Sequence, residues 1–207
     1  MSEMDKRLGY PQSGLTQKSC LSRRTLLVSV TLFLLLVWLM AFPAYGADEG
    51  TDIEERVKAA FLYKFASYVD WPATAFPKAD TPFTIAVTGS ETIAAALVQL
   101  VAGRTAQGRS ITVKRIAPGG PLDGVHILFV GRSESERLAQ WVQETKAHSM
   151  LVVTDTRGSL GQGSAINFVQ ADRRVRFEIS LDAAEKSGLR MSSRLLAVAQ
   201  RVYTGVQ

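Results

Sequence analysis

Cysteine and histidine are scarce in this 207-residue chain. The single cysteine is Cys20, and the histidines are His126 and His148. The chain after residue 46 therefore has no disulfide, no thiolate nucleophile and no cysteine-based metal site. Neither histidine stands in a metal-ligand pattern such as H-E-x-x-H, and we expect both to be structural. The chain also lacks a G-x-S-x-G nucleophile elbow. We predict a protein that is not an enzyme and that binds no metal and no cofactor.

Charge of one sign is also modest once the N-terminus is set aside. The whole chain carries 24 basic and 19 acidic residues, a net charge of +5. Five of the basic and two of the acidic residues precede residue 47, which leaves 19 basic and 17 acidic residues, or +2. A nucleic-acid partner is favoured by basic residues clustered on one face. This charge gives no such case, so we expect no nucleic-acid partner.

The one long hydrophobic run lies near the N-terminus. Residues 25–42 carry no charge, follow Arg23-Arg24 and precede a stretch of small residues that ends in Gly46-Ala47. This arrangement is typical of a secretory signal peptide, and it predicts cleavage after Gly46 and a single exported domain over residues 47–207. An uncleaved anchor over residues 1–46 is the alternative, because 18 apolar residues can cross a bilayer of about 30 Å. The paired arginines leave both the general and the twin-arginine export routes open. Either way, we expect the domain in the periplasm.

The exported part alternates between helical and strand-like patterns. Residues 51–54 have capping-box spacing, and Ile53, Val57, Phe61, Phe65 and Val69 then recur at helical intervals. Ser133 and Glu136 form a second capping box, which predicts a helix to about Lys146. Apolar runs follow from Phe83 onward, namely FTIAVT at 83–88, ITVKRI at 111–116, VHILFV at 125–130 and MLVVTD at 150–155.

The C-terminal part has a different pattern. AINFVQ at 165–170 and RRVRFEIS at 173–180 flank Ala171-Asp172, which predicts a β-hairpin with a two-residue turn. Helical stretches follow at 181–186 and 193–203. Apolar strands that alternate with helices indicate a parallel sheet covered on both faces. The predicted fold class is α/β, with a mainly parallel sheet flanked by helices, a C-terminal β-hairpin and two short helices.

Polar residues follow three of the predicted parallel strands. They are Gly89-Ser90, Gly131-Arg132-Ser133 and Asp155-Thr156-Arg157. Open α/β sheets bind ligands at the carboxyl ends of their strands, and two arginines can recognise a carboxylate or a phosphate. We therefore name a candidate ligand site made of Ser90, Arg132, Ser133, Asp155 and Arg157. In the alternative interpretation, the serines only cap helices and the arginines are solvated.

The first helix carries more aromatic residues than one core-facing stripe requires. Tyrosine and tryptophan are favoured anchors in protein interfaces. We predict a homodimer with this helix at or beside the interface, and the candidate interface residues are Phe61, Tyr63, Phe65, Tyr68 and Trp71. The alternative is that these side chains pack over the edge of the sheet.

A series of motifs resembles one known family in order. The motifs are KAAFLYKFASYVDWP at the first helix, FTIAVTGS, VHILFVG, LVVTDTRG, the GSAINFV and VRFEISLDAA hairpin, and GLRMSSRLLAVAQ. Together they run from about Glu55 to Val202 and resemble the YfiR (HmsC-like) family of periplasmic proteins. The linked order of the motifs is far more specific than any one of them.

The resemblance implies a non-enzymatic regulator and its partners. Proteins of this kind dimerise and repress an inner-membrane diguanylate cyclase through its periplasmic domain, which would control cyclic di-GMP and biofilm formation. An outer-membrane lipoprotein relieves the repression. Two positions depart from the family. Val125 stands where some members have a disulfide cysteine, and Ser180 stands where many have asparagine. A redox role is therefore not carried over, and a periplasmic small-molecule (anion) binding module at the strand-end loops is the alternative function.

Overall fold

The computed structural model describes residues 49–205. Its α-helices are α1 (Glu49–Tyr68), α2 (Glu91–Val101), α3 (Leu138–Thr145), α4 (Leu181–Lys186) and α5 (Ser193–Val198). Short 3-10 helices occupy Ala73–Ala75, Arg132–Arg137 and Ser159–Gln162. The strands are β1 (Val69–Asp70), β2 (Phe83–Thr88), β3 (Thr105–Ala106), β4 (Arg109–Arg115), β5 (Ile127–Val130), β6 (Leu151–Thr154), β7 (Ile166–Ala171), β8 (Arg174–Ser180), β9 (Arg190–Met191) and β10 (Arg201–Tyr203). The predicted signal peptide or anchor lies outside the described residues.

Eight of these strands form one sheet in the order β10-β8-β7-β6-β5-β2-β4-β3. The β7–β8 and β3–β4 pairs are antiparallel, and the other five neighbouring pairs are parallel. Strands β1 and β9 form a separate antiparallel pair. The predicted fold class, a mainly parallel sheet flanked by helices with a C-terminal hairpin, is confirmed.

Apolar layers cover both faces of this sheet. Successive residues of a strand point to opposite faces. Ile85 and Val87 of β2 accordingly pack in the layer that includes Leu97 of α2, whereas Ala86 packs in the layer that includes Trp141 of α3. Burying a large apolar side chain contributes about 1.5–3 kcal/mol each. Because both faces of the sheet are covered, the central strands β2, β5 and β6 are buried along their whole length.

Helix α1 differs from its sequence prediction in its start and in its buried face. It is already helical at Glu49, so the predicted capping box at 51–54 does not mark a helix start. Ile53 is 60% exposed and Val57 is 37% exposed. The face that packs on the sheet instead carries Lys58, Ala59, Leu62, Phe65, Ala66 and Val69. This stripe has helical spacing, but it contains two alanines and a lysine, so a pattern based on large apolar residues finds only Phe65 and Val69 among the predicted positions.

The C-terminal part contains two further differences. Ala171 pairs with Arg174, so the hairpin turn is Asp172-Arg173, one residue later than predicted. Both turn residues have positive φ, 51° and 58°, as the tight turns of hairpins require. The predicted helix at 193–203 ends at Val198, and Arg201–Tyr203 forms β10, which runs parallel to β8.

The carboxyl ends of the parallel strands meet at one edge of the sheet. Strands β5 and β6 end there at Val130 and Thr154. Thr154 pairs with Asn167, but β7 continues to Ala171. β7 therefore extends past its neighbour and forms a wall beside the strand-end loops. Within residues 49–205, no helix has the length and apolar character that are needed to cross a bilayer.

Candidate functional site

Adjacent strands β2 and β5 are followed by helices that pack in different apolar layers, a place where open sheets bind ligands. Here the two strand-end loops pack on each other instead. The Gly131 N–H donates to the Thr88 carbonyl (2.9 Å), and Ser133 Oγ donates to the Gly89 carbonyl (3.1 Å). A Cβ on Gly131 would collide with that same carbonyl. The space between the loops is therefore filled by the protein's own backbone.

Ser133 does not cap a helix, contrary to the second capping-box prediction. It lies in the 3-10 helix Arg132–Arg137, and the α-helix that follows starts only at Leu138. The hydroxyl group that was expected to cap this helix is used to hold Gly89. The contact between two loops has thus replaced the local cap.

Ser90 caps a helix, as its alternative interpretation states. Its Oγ accepts a hydrogen bond from the Ile93 N–H at the start of α2 (3.3 Å). A cap of this kind stabilises a protein by about 1 kcal/mol. The same hydroxyl lies 3.3 Å from Glu55 Oε2 of α1, so Ser90 is tied to the protein rather than free for a ligand.

A buried lysine is the centre of the polar structure at this edge. Lys58 of α1 is only 2% exposed. Its Nζ lies 2.9 Å from Asp155 Oδ2, 2.8 Å from Glu54 Oε1 and 3.5 Å from Glu55 Oε1. Arg132 adds its Nε at 3.5 Å from Asp155 Oδ2. We call these five residues the Lys58 cluster, and it fastens α1 to the loop after β6.

Electrostatics keep this lysine charged. Burial lowers the Lys58 pKa, but hydrogen bonds to Asp155 and Glu54, together with the charge of Glu55, outweigh burial and raise it above its ordinary value. For Glu54 the signs are reversed: burial raises its pKa, but Lys58, Gln170 and Arg132 together lower the pKa by more. A protonated lysine is neither a nucleophile nor a base. The cluster is therefore suited to holding structure and to binding, and Lys58 is not suited to act as a nucleophile or a general base.

An open depression of about 770 Å³ lies between the loop after β6 and the wall of β7. Arg132, Asp155 and Arg157 line it, together with Asn167 and Gln170 of β7. The structure thus brings together three of the five predicted ligand-site residues. The other two, Ser90 and Ser133, are outside the depression and make the contacts described above.

Buried hydroxyl groups support the floor of this depression. Thr154 Oγ1 is hydrogen-bonded to the hydroxyls of Ser159 and Ser164 and lies 2.9 Å from Asn167 Oδ1. Asp155 Oδ1 and Thr156 Oγ1 are buried and have no hydrogen-bond partner within residues 49–205. Buried polar atoms are normally paired, so these two atoms are exceptions within the described residues.

His126 is structural, as predicted. Its Nδ1 accepts from the Thr84 N–H (3.1 Å), which places the ring hydrogen on Nε2, and Nε2 donates to the Ala75 carbonyl (3.0 Å). The ring is stacked against both Phe76 and Phe83, with centroids at 4.4 and 4.9 Å. Burial lowers the His126 pKa, the Ala75 bond raises it, and the charges of Arg109 and Lys114 lower it further; the net change is downward.

The five candidate interface residues do not share one surface. Phe65 is completely buried and stacks with Phe168, so it belongs to the core and cannot contact a partner. Trp71 is partly buried and packs edge-on against Phe83 at 4.9 Å. The other three, Phe61, Tyr63 and Tyr68, are partly buried and pack against the same core. The interface prediction stays a proposal for the four partly exposed residues.

Sequence reasoning missed Lys58, Glu54 and Gln170 at this edge. The available signal was a lysine on the otherwise apolar inward face of a helix, with glutamates three and four residues before it. Such a lysine needs a buried carboxylate from elsewhere in the fold, which here is Asp155. Gln170 could not be found in this way, because its amide reaches Glu54 across more than a hundred residues of sequence.

Comparison with solved structures finds a conserved domain protein from Vibrio cholerae O1 biovar eltor. It is 12% identical, the match covers 58% of this chain and 54% of that chain, and the TM-score is 0.44. This chain therefore spans about half the length of that protein.

Within residues 49–205, no three histidine, cysteine, aspartate or glutamate side chains are grouped so that they could hold a metal ion. What the described residues offer is a buried charge cluster, an open polar depression and a helix tied to both. A model of the family described as YfiR/HmsC-like matches residues 55–200, which is most of the chain and includes the greater part of these features. The chain belongs to the YfiR/HmsC-like family.

Proposed function

We propose that the exported domain, residues 47–207, is a non-enzymatic regulator that represses an inner-membrane diguanylate cyclase from the periplasmic side. The observation that carries the proposal is the family match over residues 55–200. The proposed consequence is a low level of cyclic di-GMP and little biofilm. The proposed partners are the periplasmic domain of that cyclase and an outer-membrane lipoprotein that withdraws the repressor, and the domain itself is a homodimer.

Repression sets a thermodynamic requirement on the complex. The domain has to bind the inactive conformation of the cyclase more tightly than the active one, because equal affinity for both would shift no population. A difference of about 2.7 kcal/mol changes the balance about a hundredfold. A rigid surface suits this task better than a mobile one, because it loses less conformational entropy on binding. The Lys58 cluster provides such rigidity where α1 meets the sheet.

Export is part of the proposal. A repressor of this kind has to be in the periplasm, and residues 1–46 carry the features of a signal peptide. Mass spectrometry of the periplasmic fraction should give a chain that begins near Ala47. A full-length product in the membrane fraction would instead support the uncleaved anchor.

Gene deletion tests the regulatory role directly. We expect deletion to raise cyclic di-GMP and biofilm formation, and we expect residues 47–207 behind an unrelated signal peptide to restore the low level. An unchanged cyclic di-GMP level after deletion would overturn the proposal.

A second candidate function is a periplasmic anion-binding module. It is favoured by two arginines, Arg132 and the exposed Arg157, that line the same open depression. A ligand that binds only the folded state raises the melting temperature. Inorganic phosphate and small carboxylates should then stabilise the protein, and Arg157→Ala should remove that stabilisation. The same assay on Arg194→Ala, an exposed arginine of α5, is the matched control.

A further inference from the structure

A second concave surface lies beside the buried stripe of α1. It is a groove of about 760 Å³ between the N-terminal half of α1 and the β7–β8 hairpin. We call it the hairpin groove, and its lining residues include Ile53, Val57, Phe61, Arg173, Arg174 and Arg176. Glu54 and Gln170 also line it, so the hairpin groove borders the Lys58 cluster and the depression beside β7, while these six residues belong to neither.

One wall of the hairpin groove is apolar. Ile53 and Val57 are two of the four large hydrophobic side chains that are exposed within residues 49–205. They are one helical turn apart on α1, and Phe61 continues the same line another turn along. Isolated exposed hydrophobic residues are common, but a line of them in a concave site is typical of a binding surface.

The other wall is basic. Arg173, Arg174 and Arg176 are exposed on the hairpin. None of the three forms an ion pair with a side chain of residues 50–205, whereas Arg115 is paired with Glu91 and Arg132 with Asp155. Within those residues the positive charge of this wall has no ion-pair partner, and it can pair with carboxylates of a partner protein.

We propose that the hairpin groove docks a helix of a partner protein that carries apolar residues on one side and carboxylates along the other. The apolar side of the helix would cover Ile53 and Val57, and the carboxylates would pair with the hairpin arginines. Amphipathic helices bind to grooves in this way through anchors spaced by one turn. The proposal rests on the regulatory function above only for the identity of the protein that carries the helix.

The shape of the site favours a helix over a membrane surface. A bilayer is flat on this scale, and peripheral proteins reach it with apolar residues that protrude. Here Ile53 and Val57 line a concave wall that faces the hairpin. A helix with its side chains is about 10–12 Å across, a rod that a groove can enclose.

The test uses the protein as purified from cells and two labelled peptides of about 18 residues, or five helical turns. Both peptides carry leucines along one side; one carries glutamates along the other side and its twin carries lysines. In fluorescence anisotropy we expect the acidic peptide to bind at least about tenfold more tightly, since charge complementarity sets partner choice.

Two sets of variants locate the binding. The triple change Arg173→Glu, Arg174→Glu and Arg176→Glu, and separately Val57→Asp, should each weaken acidic-peptide binding at least about tenfold. The matched controls are Arg194→Glu and Val198→Asp; both residues are exposed on α5, and Val198 is 58% exposed. These controls should bind as the unchanged protein does. Circular dichroism on every variant checks that the fold is intact.

Three results would overturn the docking proposal. They are equal affinity for the two peptides, equal loss of binding in the α5 controls, and binding to phosphatidylglycerol vesicles without binding to the acidic peptide. The last result would identify a membrane contact instead.

The deletion experiment is independent of this peptide-binding test. Peptide binding together with unchanged cyclic di-GMP after deletion would support the docking proposal and contradict the regulatory one. A rise in cyclic di-GMP after deletion without peptide binding would support the regulatory proposal and contradict the docking one.

Discussion

A lysine is rarely buried in a protein interior, and Lys58 is tolerated because acidic groups surround its ammonium group. Two glutamates come from its own helix, and Asp155 comes from the loop after β6. Its hydrogen bonds therefore join local and distant parts of the chain. Removing the lysine alone would leave Asp155 buried without its main partner, which costs more than the loss of an exposed ion pair.

We predict that Lys58→Met lowers the free energy of unfolding by about 3–5 kcal/mol, because it leaves buried carboxylates without their positively charged partner. Chemical denaturation at neutral pH measures the effect. Lys64→Met, an exposed position on the same helix, is the control and should change stability by less than about 0.5 kcal/mol. Equal effects of the two substitutions would mean that the Lys58 cluster does not contribute to stability.

His126 makes stability depend on pH. Burial lowers its folded-state pKa, and the charges of Arg109 and Lys114 lower the pKa further, against the hydrogen bond to Ala75. A protonated ring also could not accept from the Thr84 N–H. The stabilising effect is therefore fully present above about 6.5, the ordinary pKa of histidine, and it is lost as pH falls toward the folded value. We expect the melting temperature to decrease over that interval.

His126→Gln should be less stable than the unchanged protein at neutral pH and should lose part of this pH dependence. The control is His148→Gln, at the other histidine of the chain, which should keep it. Differential scanning calorimetry between pH 7.5 and 5 distinguishes the two. A pH dependence that is the same in the His126 variant and in the unchanged protein would assign the effect to other groups.

At the scale of the elements, the long apolar strands could be predicted and the junctions between elements could not. Runs such as 83–88 and 150–155 are buried on both faces, so their composition alone identifies them. The short strands β1, β3, β9 and β10 have two or three residues and carry no such signal. The inward face of α1 was predicted correctly at Phe65 and Val69 and wrongly at Ile53 and Val57, because near its start the buried stripe depends on Lys58, whose partner Asp155 lies 97 residues away.

The contact between the loops after β2 and β5 allows a test at this scale. Gly131 has no room for a Cβ beside the Gly89 carbonyl, so Gly131→Ala has to push the two loops apart. Overpacking of this kind costs about 1–3 kcal/mol. Gly161→Ala is the control, because a Cβ there would meet nothing within 4 Å. Thermal melts of the two variants that coincide would show that the loops are not in tight contact.

For the whole molecule, the family and the fold class were accessible from sequence, but the site was only half accessible. Strand-end residues such as Arg132 and Arg157 could be named, because the pattern of elements indicates where each parallel strand ends. The groups that surround them could not. Gln170 reaches the edge only because β7 is longer than β6, and strand length is set by pairing in three dimensions.

The predicted homodimer is a property of the whole molecule. A symmetric dimer places the same patch of both copies in contact and buries about 800 Å² on each. Suitable anchors are the partly exposed Tyr63 and Tyr68 of α1 and Trp71, which follows the helix.

We expect Tyr68→Lys to give monomers in light scattering while circular dichroism stays native-like, because a charge at the centre of a symmetric contact meets its own copy. Tyr203→Lys is the matched control at another partly exposed tyrosine, on β10, and it should stay dimeric. If the Tyr68 variant kept its dimer, the shared surface would have to lie away from α1. In that case the hairpin groove, at the N-terminal half of α1, would not be tied to the dimer interface. If the Tyr68 variant is monomeric and the Tyr203 variant is dimeric, self-association and partner docking use two different parts of the same helix.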